Sequence, residues 1–191
     1  LAVNDPPVLS FIGSQIVDED EDLVIELSAD DPEGDLLSYS YDITNGSAIL
    51  DGSSLTITPD LNFNGDMNLT ITVSDGELDD SEVVVINVIA VNDAPSIDLL
   101  EGMQVAEDES LAIDLSASDI DSDILFYSVS VNGNANASIS DTQLNITPFS
   151  GFSGLIEVTV FVSDGYLSDS TSFDLEVLAV NDPPVLSFIG S

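Results

Sequence analysis

The stretch TPDLNFNGDMNLTITVSDG, at residues 58–76, alternates apolar and polar side chains and ends in a turn signal. Within it Leu69, Ile71 and Val73 are separated by threonines, which is the two-residue period of a β-strand with one buried face. A second version of the stretch, TPFSGFSGLIEVTVFVSDG, occupies residues 147–165. The chain therefore contains the same strand-and-turn unit twice.

The duplication extends over most of the chain. The motif AVNDPP at residues 2–7 returns as AVNDAP at 90–95 and as AVNDPP at 179–184, which are spacings of 88 and 89 residues. A single inserted residue, between about residues 46 and 54, aligns the two copies. Such self-similarity at a fixed period is typical of repeat architectures.

These spacings define the predicted domains. The first repeat spans residues 1–89, the second spans 90–178, and 179–191 form a linker and the first strand of a following repeat. Residues 1–14 recur unchanged as 178–191, which indicates that the chain is an excerpt of a longer array.

Each repeat contains about seven short runs of alternating apolar residues, separated by Asn-Gly and Asp-Gly turn signals. No helical pattern competes with them. This is the strand content of an immunoglobulin-like sandwich. We predict an all-β chain of two tandem Greek-key β-sandwiches, about seven strands each, arranged end to end.

The charge of the chain excludes several classes of function. It contains 37 Asp and Glu but no Lys, Arg, His or Cys, for a formal net charge of −37. Nucleic acid would be repelled, and nucleophilic or zinc chemistry that needs His, Cys or Lys is excluded. A paired-carboxylate hydrolase remains formally open. However, the carboxylates recur with each repeat, so we expect no enzyme.

The same charge indicates imported cations. No internal ion pair can neutralise the carboxylates, and self-repulsion opposes compaction. An apolar content of 43% argues against a disordered acidic chain. Oxygen-only ligands favour a hard ion such as Ca²⁺, and the alternative is that the acidic loops are solvated turns. An EF-hand is excluded because Ile124 and Ser130 occupy the Gly and Glu positions of a loop starting at Asp119.

Four motifs in the same order connect the chain to a family. AVNDPP resembles the cadherin linker, SADDPEGD at 28–35 and SASDIDSD at 116–123 resemble the family's A-x-D-x-D, and VSDG resembles A-x-D-x-G. The fourth motif, TPDLNFNGDMNLTITVSDG at 58–76, resembles the bacterial version of the repeat. Over essentially its whole length the chain resembles cadherin repeats and, more closely, the cadherin-like or bacterial Ig-like tandem repeats of giant bacterial surface adhesins.

The resemblance implies Ca²⁺ held between successive domains by residues of three junctions. The first junction would use Asp5, Asp31, Glu33, Asp35 and Asp75. The middle junction would use Glu19, Asn92, Asp93, Asp119, Asp121, Asp123 and Asp164. The last junction would use Glu107 and Asp182. Because alanine replaces the family's leading linker Asp and the D-R-E motif is absent, we expect one or two ions per junction.

The resulting functional hypothesis is a calcium-rigidified spacer, the stalk of an extracellular adhesin on a bacterial surface or of a secreted protein. Its expected partners are adjacent repeats, and polysaccharide or like surface proteins remain open. We expect no membrane insertion, because no apolar run approaches the ~20 residues that span a bilayer.

The alternative is a module that binds carbohydrate or a like repeat directly. The aromatic residues available to stack on a sugar are Tyr39, Tyr41, Phe126, Tyr127, Phe149, Phe152 and Tyr166. We expect most of them to serve core packing instead.

Overall fold

In the computed structural model, residues 3–121 and 124–181 are described. The chain divides into two compact units, Leu1–Val91 and Asn92–Ser191. All regular structure in the described residues is β-strand. The predicted all-β fold of two tandem sandwiches is confirmed.

The described residues of the first unit form nine strand segments, two of them only two residues long. They are β1 (Val8–Leu9), β2 (Gln15–Asp18), β3 (Leu23–Glu26), β4 (Ala29–Asp30), β5 (Ser38–Ile43), β6 (Gly46–Asp51), β7 (Ser54–Pro59), β8 (Gly65–Ser74) and β9 (Asp79–Ile89).

These segments form the two layers of a sandwich. One sheet has the order β2-β9-β8-β5 and the other the order β3-β7-β6, while β1 pairs with β4. Among the described strands of this unit, only the pair β2 and β9 runs parallel. The first strand is split, with Gly13 at φ +72° between its pieces, so that β1 pairs with β4 and β2 joins the other sheet. Counting β1 with β2 and β3 with β4 gives the predicted seven strands.

The second unit repeats this topology. Its strands are β10 (Ser96–Ile97), β11 (Met103–Ala106), β12 (Leu111–Asp114), β13 (Ala117–Ser118), β14 (Phe126–Val131), β15 (Ala135–Ser140), β16 (Gln143–Pro148), β17 (Gly154–Ser163) and β18 (Ser168–Leu178). The sheets have the orders β11-β18-β17-β14 and β12-β16-β15, and β10 pairs with β13.

The core of each unit lies between its two sheets, because alternate strand residues point inward. In β8, Leu69, Ile71 and Val73 are completely buried, as the period of the sequence predicted. Their equivalents in β17 are Val158, Val160 and Val162, which are also completely buried. At about 25 cal/mol per Å² of apolar surface, this burial is the main stabilisation of a domain without disulfides or internal ion pairs.

The inserted residue lies outside the predicted window of residues 46–54. The β5–β6 loop has two residues, 44–45, whereas the β14–β15 loop has three, 132–134. The strands on either side keep their pairing, since Gly46 faces Pro59 as Ala135 faces Pro148. A loop accepts an extra residue without moving a buried face, and a strand does not.

The expectation that most of the candidate aromatic residues pack in the core is only partly correct. Tyr39, Tyr127 and Phe152 pack against the cores. Four others are exposed: Tyr41, whose hydroxyl donates to Ala48 O, together with Phe126, Phe149 and Tyr166. Phe126 occupies an outward-facing strand position and Phe149 and Tyr166 lie in turns, so the sandwich does not require their burial.

Candidate metal-binding site

Three chain segments meet at one end of the first unit: the linker before β1, the loop after β4 and the loop after β8. Asn4 Nδ2 donates to Asp75 Oδ2 at 2.9 Å. The backbone N–H of Asp5 donates to Glu33 Oε2 at 3.2 Å. The structure therefore brings together the acidic loops that the sequence assigned to the first junction.

Asp31 organises the loop after β4. Its Oδ1 accepts hydrogen bonds from the backbone N–H groups of Glu33, at 3.0 Å, and Asp35, at 2.9 Å. Its Oδ2 is buried and has no hydrogen-bond partner among the described residues. A buried anionic oxygen without a partner is costly, so this atom is a candidate contact for a cation.

The second unit builds the same arrangement from its own residues. Asn92 Nδ2 donates to Asp164 Oδ2 at 2.8 Å, as Asn4 does to Asp75. The backbone N–H of Asp93 donates to Asp121 Oδ2 at 2.8 Å. Carboxylate oxygens of Asp93 and Asp121 lie within 4.8 Å of each other.

Asp119 takes the place of Asp31 in this unit. Its Oδ1 accepts the backbone N–H of Asp121 at 2.9 Å. Its Oδ2, like that of Asp31, is buried without a hydrogen-bond partner in the part of the chain that the structure describes. The predicted ligand Asp123 lies outside the described residues.

Hydrogen bonds hold the Asp of each VSDG motif in its ionised form. In the second unit the Asn92 amide and the backbone N–H groups of Tyr166 and Leu167 lower the pKa of Asp164. In the first unit the backbone N–H groups of Leu78 and Glu77 and then the Asn4 amide lower the pKa of Asp75. Both carboxylates are therefore charged and fixed in place, as a metal ligand must be.

A buried glutamate secures the outgoing linker at the opposite end of the first unit. Glu19 is 3% exposed. Its backbone N–H donates to Ile89 O at 2.9 Å, and its Oε1 accepts the backbone N–H of Val91 at 2.6 Å.

Glu107 has the same role in the second unit, where its Oε1 accepts the backbone N–H of Val180 at 2.6 Å. The predicted ligand Asp182 lies outside the described residues. The two acidic ends of each sandwich thus both hold linker backbone.

These donors fit a hard divalent cation. Ca²⁺ takes 6–8 oxygen ligands from carboxylates, carbonyls and water. Each unit offers several carboxylates that backbone hydrogen bonds hold in place, and one of them has an oxygen without a partner among the described residues. The chain has no cationic side chain that could occupy this position. Asp31, Glu33, Asp75, Asp119, Asp121 and Asp164 are therefore suitable ligands on chemical grounds.

Sequence reasoning missed a second pair of structural carboxylates, Asp80 and Asp169. Asp80 Oδ2 accepts the backbone N–H of Leu9 at 2.9 Å, and Asp169 Oδ2 accepts that of Ile97 at 3.0 Å. Each anchors the first strand of its sandwich, and the hydrogen bonds from Ile97 and Ser170 lower the pKa of Asp169. The signal was present, because each of these residues follows the Asp of a VSDG motif by five positions.

A family model described as bacterial Ig domain matches the chain twice, at residues 4–87 and 92–176. Chitinase A of Pseudoalteromonas piscicida is 28% identical over 183 residues, which are 91% of this chain and 22% of that protein. The chain thus spans about a fifth of the length of this relative.

Two solved structures illustrate the structural likeness. The EC1-2 fragment of human protocadherin-24 (form II) has a TM-score of 0.56 and 17% identity, over 93% of this chain and 99% of the fragment. An endo-fucoidan hydrolase of glycoside hydrolase family 107 has a TM-score of 0.41 and 21% identity, over 92% of this chain and 29% of the hydrolase. The protocadherin likeness concerns the fold alone, and the hydrolase likeness is too low to support an argument.

Proposed function

The chain belongs to the bacterial Ig domain family, as its motifs predicted, and we propose that it is a calcium-rigidified spacer of a longer extracellular protein. Domains of this family are typically extracellular or surface-exposed and typically non-catalytic. The described part of the chain contains no helix that is long and apolar enough to cross a membrane. We propose a mechanical role and no catalytic one.

The observation that carries the proposal is the duplicated acidic arrangement. Each unit has an Asn–Asp hydrogen bond between linker and VSDG loop, and each has one Asp oxygen that is buried without a partner among the described residues. A solvated turn needs neither feature. Two repeats that differ in many other positions have kept both.

Electrostatics supports a bound cation. The carboxylate oxygens of Asp93 and Asp121 lie at most 4.8 Å apart. Two like charges at that distance repel by about 1–3 kcal/mol when the effective dielectric constant is between 80 and 20. Hydrogen bonds offset part of this cost, and the chain has no Lys or Arg to offset the rest. A divalent cation bound there turns the repulsion into attraction.

The linker residues explain how a cation would stiffen the chain. Val91 is held by Glu19 within the first unit, and the next two residues, Asn92 and Asp93, are held by the acidic loops of the second unit. We propose that Ca²⁺ at this linker is liganded by Glu19, Asp93, Asp119, Asp121 and Asp164, with Asn92 and Asp123 contributing carbonyls. The ion would add ligand bonds to a linker whose residues each unit already holds by hydrogen bonds.

Two considerations support an extracellular location: the calcium affinity expected of such modules and the similarity to part of a chitinase. Extracellular calcium modules bind at about 10⁻⁴–10⁻³ M, so the calcium of seawater or host fluid suffices to occupy them and that of cytosol does not. The similarity to about a fifth of a chitinase fits a spacer within a larger protein. We propose a stalk on a bacterial surface or in a secreted protein, with neighbouring repeats as its partners.

Small-angle X-ray scattering tests the mechanical role. The whole chain would be measured in 10 mM CaCl₂, in EGTA and in MgCl₂ of equal ionic strength. We expect a narrower distance distribution and a larger maximum dimension in calcium only. Indistinguishable profiles in calcium and EGTA would overturn the proposal, and an equal response to magnesium would reduce it to salt screening.

A further inference from the structure

Two phenylalanines lie on the exposed face of the four-stranded sheet in the second unit. Phe126, on β14, is 62% exposed, and Phe161, on β17, is 40% exposed. Phe126 pairs with Ser163, and Phe161 pairs with Ser128. The two rings are therefore diagonal neighbours on one face, with Cα atoms about 7–8 Å apart.

Hydroxyl groups surround this aromatic pair. Ser170 lies beside Phe161 on β18, and in the next row Thr159 Oγ1 and Ser172 Oγ are 2.9 Å apart. In that direction the first carboxylates on this face, those of Glu157 and Asp174, lie one row further along the strands. Along β17 and β18, hydroxyl groups therefore separate the pair from these acidic side chains.

The fold does not require these aromatic side chains. The first unit has Ser38 and Thr72 at the equivalent positions, in the same register between β5 and β8. Exposed rings add nothing to the core of the second unit, and they present apolar surface to water. An aromatic cluster that only one of two homologous faces carries indicates a ligand contact.

We propose that this face of the second unit binds a neutral polysaccharide. The apolar C–H face of a sugar ring stacks on an aromatic ring, and the serine and threonine hydroxyls can donate to and accept from its hydroxyl groups. Acidic polymers are repelled by the −37 charge, and so is a second copy of the chain. The contact requires no metal ion and is independent of the spacer proposal.

Affinity electrophoresis tests this inference on the whole chain. Native gels would contain hydroxyethyl cellulose, glycol chitin or galactomannan as neutral probes, and carboxymethyl cellulose as a charged counterpart of the first. We expect retardation by at least one neutral probe and weaker retardation by carboxymethyl cellulose. We expect the same retardation in EGTA, which separates this contact from calcium-dependent effects.

The first repeat supplies the test variants. Phe126→Ser and Phe161→Thr install the first repeat's residues, and each should weaken binding by about tenfold or more, as expected for an aromatic anchor. Phe149→Ser is the matched control, because this exposed phenylalanine follows β16 at the opposite end of the unit. It should leave binding unchanged, and circular dichroism melting should show that all three variants are folded.

Several results would overturn the inference. They are an absence of retardation by every neutral probe, tighter binding to carboxymethyl cellulose than to hydroxyethyl cellulose, binding that survives both face variants, and equal loss of binding in Phe149→Ser.

Discussion

The substitution Asp119→Asn should change the sign of its effect on stability when calcium is added. Asp119 Oδ1 accepts the backbone N–H of Asp121, and an asparagine carbonyl can do the same. The substitution converts Oδ2, which is buried and unpartnered among the described residues, into an uncharged NH₂ group. Without metal, the variant should therefore melt at the same temperature as the wild type or slightly higher.

In calcium, the wild type should instead melt at a higher temperature than the Asp119→Asn variant. With a Kd of about 10⁻⁴–10⁻³ M, 10 mM calcium stabilises a binding-competent domain by about 1.4–2.7 kcal/mol. For a domain of roughly 90 residues, this corresponds to an increase in Tm of about 6–20 °C. The variant should lose most of that increase, because its ligand no longer carries charge.

Differential scanning calorimetry would follow both proteins in EGTA and in 10 mM CaCl₂. Asp114→Asn, on an exposed position of β12, is the matched control for loss of one negative charge, and it should keep the full calcium response. If Asp119 acts only as a turn former, wild type and variant will show equal calcium-induced increases in Tm. That result would refute the assignment of Asp119 as a ligand.

Two further predictions concern stability without metal. Asp169→Asn should lower the free energy of unfolding at pH 7, and this loss should be smaller at pH 3. The pKa of Asp169 in the folded state lies below the unfolded value of about 3.9. The carboxylate therefore contributes its full stabilisation above about pH 3.9 and loses it as the pH falls through the folded-state pKa. Urea denaturation at pH 7, 5 and 3 measures it, and a loss independent of pH would contradict the role of the carboxylate. Gly46→Ala should destabilise the first unit by about 1–3 kcal/mol, because the added Cβ would lie 2.6 Å from Met67 Cε and 2.7 Å from Thr58 O. Adding Met67→Ile should recover part of this stability, since the second unit has Ala135 and Ile156 at the positions equivalent to Gly46 and Met67. If the double variant melts no higher than Gly46→Ala, the packing explanation is wrong.

The fold was accessible from the sequence because its determinants are local and occur twice. The alternation around Leu69 and Val158 specifies which strand face is buried, and the Asn-Gly and Asp-Gly pairs specify where strands end. The clustering of acidic loops at the domain ends was also predictable, since consecutive antiparallel strands place alternate loops at the same end of a sandwich.

The details that were missed depend on tertiary contacts. The burial of Asp31 Oδ2 and Asp119 Oδ2 depends on packing of the surrounding loops, which the spacing of residues does not reveal. Asp80 was marked in the sequence only by its spacing from the VSDG Asp, and that spacing does not reveal the hydrogen bond from the Leu9 backbone. The diagonal placement of Phe126 and Phe161 depends on the register between β14 and β17, which the alternation within each strand does not reveal.

A calorimetric titration of the 191-residue chain with CaCl₂, at low ionic strength and after EGTA treatment, measures whether the linker between the repeats binds calcium. We predict saturable binding of one or two calcium ions at the linker between the repeats. Binding should weaken strongly in Asp119→Asn but be retained in Asp114→Asn. Heats no larger than those of dilution, up to 10 mM calcium, would show that the chain is not a calcium-rigidified spacer.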